Sequence, residues 1–449
     1  MNDAALAASP TQDDRVPLAA WLSLAAMVAV AIYAIIDRQI FILLAEAIKK
    51  DMSLSDTQLG LLQGVGLALV GVITVYPISW LADRFDRRVV VAASIALWSL
   101  AVIACGFAPN FTWLMIGASL VGVGEAAIGP ATYAMIPDLF PPSRRQLANS
   151  AFAVGIRFGG AAGVFLAGII VSSGAAIRPW LPASVAAMHD WRLGFLVAAA
   201  FAPVAVLLML ALPRSAAGPC RAKAASAASD APPIWPFLRE NWRMQVGFFS
   251  AMGSGTLGLA GTAIFIPVIA ARDFGQTPAQ AGAWLGLLGI ISGVLGFAGG
   301  MAVVRWLGPR FGAGFEMMML AAVALGGSLA SIPIAFAGSL EQLYGFWGLQ
   351  VTVLALLAMV LPTVMQNMTP PPIRARLFAM ISMFQLVAGG IAPVIVGAFS
   401  DALTGTVARP LLLAAATMAV IGCALGAFIF ARLVRGYGAL VVKIREEYE

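Results

Sequence analysis

Histidine and cysteine are scarce in this chain. One histidine, His189, and three cysteines, Cys105, Cys220 and Cys423, occur in 449 residues, and they lie far apart. Zinc sites need several such ligands at short spacings, and a disulfide framework needs paired cysteines. The sequence therefore predicts no metal site and no disulfide framework. With no nucleophile placed beside a base, it also predicts no enzyme of the Ser-His-Asp type.

A phosphate-binding loop is also missing. No Gly-x-x-x-x-Gly-Lys-Ser/Thr motif occurs in the sequence, and this motif is the one that cradles nucleotide phosphates. We therefore expect neither ATP-driven activity nor a bound cofactor.

Charged residues are few. They make up 11% of the chain, whereas hydrophobic residues make up 61%, and the mean hydropathy is +0.92. Soluble domains carry about 25% charged residues. The apolar runs are continuous and about 20 residues long or longer, which is the length of a membrane-spanning helix. The sequence predicts an all-α integral membrane protein, and its net charge of +6 needs no nucleic acid to explain it.

The chain divides into two sets of six predicted spans. A segment rich in Ala, Ser and Pro separates them. We predict an N-terminal tail (1–17), an N-terminal six-helix bundle (18–212), a linker (213–241), a C-terminal six-helix bundle (242–434) and a C-terminal tail (435–449). The twelve predicted spans are 18–45, 57–82, 88–108, 111–138, 146–174, 191–212, 242–271, 278–304, 312–336, 341–368, 373–401 and 409–434.

Lysine and arginine set the predicted orientation. If both termini are cytoplasmic, the linker is cytoplasmic too. In this orientation, most of the 27 basic residues lie in cytoplasmic segments. Basic residues concentrate on the cytoplasmic side of membrane proteins. We therefore expect both tails and the linker to be cytoplasmic.

The two halves repeat several motifs. Pro141–Leu147 and Pro371–Leu377 are similar, and a Gly-Gly pair follows each at the same offset. Asp51 to Gln58 and Asp273 to Gln280 have equal spacing in the first outer loop of each half. Six-helix repeats related by an axis along the membrane normal are a transporter architecture, with substrate bound between the halves near mid-membrane.

Charged residues interrupt two apolar spans of the N-terminal half. Asp37 and Arg38 lie in the first span and Glu125 in the fourth. Charges at membrane depth are costly and mark functional sites by default. Adjacent helical residues point about 100° apart, so we expect Arg38 to pair with a carboxylate on another helix. Glu125 is the candidate, because Gly122 and Gly124 let a neighbouring helix come close.

We predict that Asp37, Arg38 and Glu125 couple transport to protons. Burial favours the neutral form of a carboxylate, and a nearby cation favours its charged form. In this hypothesis, protonation frees Arg38 and changes which arrangement of the two halves is favoured. The alternative is a static ion network that fixes helix packing.

Few other polar residues lie within the spans. Arg157 in the fifth span fits three roles: contact with an anionic head group, pairing with Asp37 or Glu125, or reaching the membrane surface. A sparse polar lining suits an amphiphilic substrate better than a sugar, although contacts between helices explain each residue equally well. The candidate substrate-binding residues are Arg38, Tyr133, Arg157, Thr363, Gln366, Asn367 and Gln385.

The loop between the second and third spans carries a recognisable motif. Ser79-Trp80-Leu81-Ala82-Asp83-Arg84-Phe85-Asp86-Arg87-Arg88 resembles the loop signature of the major facilitator superfamily, with Ser79 and Asp86 in place of its glycines. A carboxylate at a helix end can pair with arginines and a helix N-terminus, and such a lock breaks as the halves rock. The predicted lock consists of Asp83, Arg84, Arg87 and Arg88, and the alternative is a charged loop that anchors helix ends.

Further motifs resemble the Spinster branch of this superfamily. That resemblance implies the twelve-helix major facilitator fold, an inner-membrane location for a bacterial homologue, a monomer, and Asp37, Arg38 and Glu125 as coupling residues. Ala118, where many relatives have Arg, and Arg157 depart from the pattern. The motifs are Ile36-Asp37-Arg38, Asp51-x-x-Leu54-Ser55-Asp56-x-Gln58-x-Gly60-Leu61-Leu62-Gln63, Gly122-Val123-Gly124-Glu125-Ala126 and Gly390-x-x-Pro393-x-x-x-Gly397-x-x-Ser400-Asp401.

Spinster proteins export lysolipids and sphingoid phosphates, or have no known substrate. The resemblance therefore implies a proton-coupled exporter whose partners are an amphiphilic substrate, protons and the lipid bilayer. Four alternatives stay open: a proton-driven exporter of hydrophobic drugs, a transporter of small organic anions, a lipid scramblase and a membrane sensor that transports nothing.

Overall fold

The computed structural model describes residues 16–126, 128–213, 234–370 and 373–448, and all regular elements in these residues are helical. The helices of the N-terminal half are α1 (Leu18–Leu43), α2 (Ala45–Met52), α3 (Asp56–Gly60), a π-helix (Leu61–Leu69), α4 (Val70–Arg84), α5 (Arg87–Gly106), α6 (Phe111–Glu125), α7 (Ile128–Leu139), α8 (Pro142–Ile177), a 3₁₀ turn (Arg178–Trp180), α9 (Ala183–Ala186), α10 (Asp190–Ala199) and α11 (Ala202–Leu210).

The C-terminal half contains longer, less interrupted helices. Its elements are α12 (Ile234–Glu240), α13 (Trp242–Phe274), α14 (Pro278–Phe311), a 3₁₀ turn (Gly312–Gly314), α15 (Phe315–Ser331), a 3₁₀ turn (Ile332–Phe336), α16 (Leu340–Ala355), α17 (Leu357–Asn367), α18 (Arg374–Leu403) and α19 (Pro410–Tyr448).

Eleven helical segments of the described residues are long and apolar enough to cross a membrane, and α6 is an additional shorter apolar helix. The predicted all-α membrane fold is confirmed. The segments predicted as the linker and the C-terminal tail are helical in part. The linker contains α12, whereas residues 214–233 lie outside the described residues. The tail predicted from residue 435 continues α19, because Tyr437, Leu440 and Val441 are buried in an apolar cluster.

Matching caps start the second span of each half. Ser55 accepts the backbone N–H of Gln58, and the Gln58 side chain accepts the backbone N–H of Ser55. Thr277 and Gln280 form the same reciprocal pair at the start of α14. Such capping boxes satisfy backbone donors that have no partner within the helix. The equal spacings noted in the sequence therefore correspond to equal helix starts.

The molecule has two distinct ends. We call the end that carries the start of α1, the end of α11, α12 and the end of α19 the linker end. The opposite end, where α3 meets α18 and the later turns of α8 meet the start of α14, is the closed end. There a Cβ on Gly60 would overlap the carbonyl of Pro393, and one on Gly282 would lie 2.8 Å from the carbonyl of Val164. The halves therefore touch backbone to backbone at the closed end.

The buried apolar residues form two clusters. The larger cluster joins the halves and contains Phe41 of α1 together with Phe265 of α13. The smaller cluster contains Phe248, Met317 and Tyr437 and belongs to the C-terminal half alone, toward the linker end. The apolar core is therefore shared between the halves toward the closed end and separate toward the linker end.

Candidate functional site

An ion pair joins α1 to α6 in the N-terminal half. Arg38 Nη2 lies 3.0 Å from Glu125 Oε2, with the arginine side chain 44% exposed and the glutamate side chain 8% exposed. The second carboxylate oxygen of Glu125 is buried and has no hydrogen-bond partner among the described residues. The contact predicted from helix geometry is therefore present, and it joins an accessible cation to a buried acid.

Glycines bring α6 close to its neighbours, although not to α1. A Cβ on Gly122 would overlap the carbonyl of Leu67 in the π-helix, and one on Gly124 would lie 2.5 Å from Trp98 Cβ in α5. The expectation that these glycines bring α6 close to a neighbouring helix holds, but the helix bearing Arg38 is not that neighbour. Arg38 reaches Glu125 by the length of its own side chain.

Asp37 faces a different helix from Arg38. It is 1% exposed, and its Oδ2 accepts a 2.9 Å hydrogen bond from the indole N–H of Trp98 in α5. Its Oδ1 is buried without a partner among the described residues. The Tyr33 ring lies beside Trp98, with centroids 5.8 Å apart. A carboxylate with one donor and little water is costly to keep charged, so this environment suits a group that gains and loses a proton.

The polar candidates of the C-terminal half occupy different environments. Thr363 and Gln366 on α17 are exposed, and Gln385 on α18 is half-buried. The Asn367 side chain donates to the Tyr437 hydroxyl at 3.5 Å, so it ties α17 to α19. The structure therefore leaves Thr363 and Gln366 as the accessible polar groups of this set.

Two further candidates lie on helices of the N-terminal half. Tyr133 belongs to α7 and Arg157 to α8. Their side chains lie outside the described part of the structure, and their predicted roles stay predictions.

The loop before α5 is tied down by ion pairs within the N-terminal half. Arg87 Nη1 lies 2.7 Å from Asp138 Oδ2, and Arg88 Nη2 lies 2.7 Å from Asp86 Oδ2. Asp86 also caps α5, because its Oδ1 accepts the backbone N–H of Arg88 at 3.0 Å. Arg88 further donates to the carbonyl of Leu212 after α11. The acid at the position where the motif has glycine is therefore the cap of the next helix.

The remaining lock candidates are Asp83 and Arg84. The guanidinium of Arg84 stacks over the Trp80 ring at 4.0 Å. The side chain of Asp83 lies outside the described residues. The role of this motif as a conformational lock therefore stays a prediction.

A second ionic site, at the closed end, joins the two halves. Asp56 is 2% exposed and accepts two hydrogen bonds from Arg272, at 2.9 and 2.7 Å. Lys49 and Ser400 donate to the same carboxylate at 2.6 and 2.7 Å. Arg272 also donates to Glu46 at 3.0 Å. We call these five residues the closing network; two come from the C-terminal half and three from the N-terminal half.

Asp401 extends this network by capping a helix of the other half. Its two carboxylate oxygens accept the backbone N–H groups of Asp56 and Thr57, at 2.9 and 2.8 Å. An acid at a helix N-terminus satisfies free donors and complements the helix dipole. Asp56 and Asp401 belong to motifs that resemble the Spinster branch, and we predicted no role for either residue from the sequence. The sequence signal that could have indicated a role is that each half has one of these acids at the border of an apolar span.

Comparisons with known proteins agree with this architecture. The family model of the Major Facilitator Superfamily matches residues 22–339. An "MFS-type efflux pump" of Mycolicibacterium smegmatis is 26% identical over 423 residues, which are 90% of this chain and 91% of the relative. "Protein spinster homolog 1" of Homo sapiens is 26% identical over 385 residues, covering 79% of this chain and 68% of the relative. The resemblance to Spinster proteins is confirmed.

A solved structure shares the fold. The crystal structure of a bacterial homologue of the human lysosomal transporter Spinster, in an inward-facing and unoccupied conformation, superposes with a TM-score of 0.72. The match covers 95% of this chain and 98% of the other, with 20% sequence identity. Identity at this level shows the fold alone.

Proposed function

We propose that this chain, which belongs to the major facilitator superfamily, is a proton-coupled exporter of amphiphilic molecules that works by alternating access. The superfamily consists of transporters, so the chain is a transporter and not an enzyme. The coupling ion, the substrate class and the direction of transport are our inference.

The observation that carries the proposal is the Arg38–Glu125 pair. Arg38 is 44% exposed and Glu125 only 8%, so a solvent-accessible cation is held by an acid with little access to water. A proton on Glu125 removes the negative charge that holds Arg38. The released guanidinium then prefers an aqueous or anionic partner, because an unpaired charge in a low-dielectric site is costly. Protonation and substrate binding are linked through one side chain.

Asp37 is the second proton site in this proposal. It lies on the same helix as Arg38 and is almost fully buried, and its Oδ2 accepts a hydrogen bond from the Trp98 N–H. Gain of a proton removes the cost of its charge, and loss of the proton restores it. Both carboxyl groups therefore respond to protons beside the helix that carries Arg38.

Alternating access is supported by the asymmetry of the two ends. The halves share backbone contacts and the closing network at one end and have separate cores toward the other. The bias of basic residues favours a cytoplasmic linker end. We infer an inward-facing arrangement in a cell inner membrane, with both termini cytoplasmic and the closing network sealing the outer side.

The substrate class follows from the accessible polar groups. Arg38, Thr363 and Gln366 are exposed within the spans, whereas much of their surroundings is apolar. One cation and a few neutral hydrogen-bonding groups suit a molecule with an anionic or polar head and an apolar body. Lysolipids and sphingoid phosphates, the substrates of the Spinster branch, have this form.

A second candidate is the export of hydrophobic drugs. A relative that matches over nine-tenths of this chain is named an efflux pump. Such a substrate uses the same apolar surroundings and needs no anion contact with Arg38. Replacing Arg38 with Gln would abolish export of an anionic amphiphile but spare recognition of a neutral drug.

The test is transport in proteoliposomes with an imposed pH gradient, screening lysolipids, organic anions and dyes. We expect a lysolipid or similar amphiphile to move only when the gradient is present. Movement of lipid without any gradient would indicate a scramblase, and binding without flux would indicate a sensor. Either result would contradict the proposal.

A further inference from the structure

A groove lies at the linker end of the C-terminal half, away from the transport site. It has a volume of about 330 Å³ and lies between α12 and the first two turns of α13. Trp235 and Arg239 line one wall, and Trp242 and Phe249 line the other. Trp235 and Trp242 are 71% and 55% exposed. Tryptophans of this kind concentrate at the level of lipid head groups.

A buried amide without a partner faces this groove. Gln245 is 2% exposed and lines the groove, yet neither its amide nitrogen nor its oxygen has a hydrogen-bond partner among the described residues. Buried polar groups are almost always hydrogen-bonded, and an exception calls for a missing partner. Its polar atoms are covered in this arrangement, and a turn of the side chain would bring the amide to a polar atom of an occupant.

The charge around the groove is positive. Glu240, the nearest acid in the sequence, is held by Lys443 at 2.5 Å. Arg239 forms no ion pair with any described residue, and Arg243 lies over the Trp242 ring at 5.5 Å from its centroid. An arginine without an acidic partner beside an apolar groove complements an anion attached to an apolar chain.

The neighbouring linker does not supply such an occupant. Residues 214–233 contain no Leu, Ile, Val, Met or aromatic residue with which to fill an apolar groove. They also carry three basic residues, Arg214, Arg221 and Lys223, against the single acid Asp230, and this net positive charge opposes docking beside Arg239.

We propose that this groove binds one anionic phospholipid of the surrounding membrane. The phosphate lies against Arg239 at head-group level, and an acyl chain follows the apolar wall toward Phe249. A turn of the Gln245 side chain toward the groove lets its amide donate to a phosphate or ester oxygen. Phe249 stacks on Phe384 of α18, with ring centroids 6.0 Å apart, so the bound lipid touches the packing of the helix that closes against α3.

The experiment is native mass spectrometry of the full chain released from detergent, titrated with phosphatidylglycerol or phosphatidylcholine. The test variants are Arg239→Gln and Gln245→Leu. The matched control is Arg432→Gln, because Arg432 lies outside the groove, over the exposed ring of Phe428, with its guanidinium carbon 4.9 Å from the centroid. Thermal melts of each variant report whether it is folded.

We expect one phosphatidylglycerol molecule to remain bound to the wild type and to Arg432→Gln. Binding should be about tenfold weaker in each test variant, as loss of a charge-assisted or buried hydrogen bond predicts. Equal retention of the two lipids, or unchanged binding in Arg239→Gln, would overturn the proposal. So would lipid binding that appears only after removal of residues 214–233, or a polypeptide cross-linked through Trp235, because each identifies another occupant.

Discussion

Asp37 and Arg38 are neighbours in sequence with different partners. Asp37 meets the indole of Trp98 on α5, and Arg38 meets Glu125 on α6. The direction of Arg38 was predictable, since helical neighbours diverge by about 100° and Glu125 is the only further acid in the interior of a predicted span of the same half. The partner of Asp37 was not, because a tryptophan within an apolar span has the same sequence signal whether it packs or donates.

Replacement of Trp98 with Phe tests the role of Asp37. The indole donor stabilises the charged carboxylate more than the neutral acid, so its loss favours the protonated form. A hydrogen bond to a charged group is worth about 1.5–3 kcal/mol, which corresponds to about one to two pH units. We expect the pH–rate profile of transport to move to higher pH by about that amount.

Trp191→Phe is the control for this substitution. Trp191 is also buried, and its indole donates to Asp51 at 3.0 Å, away from the coupling site. We expect a similar loss of thermal stability with an unmoved pH profile. Equal displacement of both profiles would show that the effect comes from packing and not from Asp37.

At the scale of helices, the sequence predicted spans well and their interruptions poorly. The second predicted span contains the π-helix at Leu61–Leu69, and the described residues of the fourth form α6 and α7 on either side of residue 127. Apolar composition indicates that a segment crosses the membrane. It does not indicate which pattern of backbone hydrogen bonds the helix has. π-Helices are rare and occur often at functional sites, and this one packs between α6 and α18.

Gly60 at the end of α3 tests the closed contact between helices. A Cβ there would overlap backbone atoms of α18, whereas one on Gly293 of α14 would meet nothing within 4 Å. We expect Gly60→Ala to force α3 and α18 apart. Gly293→Ala should leave the conformation unchanged, with a stability gain of up to about 1 kcal/mol from helix propensity.

Distances between spin labels report the result. The labels are attached at Lys50 and Ala408, both exposed near the closed end, in a protein whose natural cysteines are replaced. We expect a population of molecules with a longer distance between the labels in Gly60→Ala and not in Gly293→Ala. An unchanged distance distribution in Gly60→Ala would show that the close approach of these helices is not required.

At the scale of the whole molecule, the two-half architecture followed from the internal repeats. The sequence did not predict which end is closed. One sequence must support both states of a transporter, and its apolar pattern is the same in each state. The closing network makes the difference, and its members come from segments far apart in sequence, Glu46 to Asp56, Arg272 and Ser400.

Removal of Arg272 should open the closed end. Arg272→Gln leaves Asp56 and Glu46 without the cation that crosses between the halves, and loss of one partner from a buried pair costs about 3–5 kcal/mol. This cost applies only to the closed arrangement, so we expect more molecules to show the longer distance between the labels at this end. Transport should slow, because the return step becomes unfavourable.

Arg178→Gln is the control at the same end. Arg178 pairs with Asp190 of its own half, at 2.5 Å, and its side chain is 36% exposed. We expect wild-type distances and rates. If both variants open equally, general loss of charge at this surface explains the effect and the closing network does not.

The central claim is that Glu125 exchanges a proton as the substrate moves. Its most direct test is a pH-sensitive dye sealed inside proteoliposomes, read on addition of a substrate that the screen has identified. Glu240→Gln serves as the control, since its pair with Lys443 is on the surface. We expect a substrate-driven pH change in the wild type and in Glu240→Gln, and none in a folded, substrate-binding Glu125→Gln. Wild-type proton movement in Glu125→Gln would contradict it.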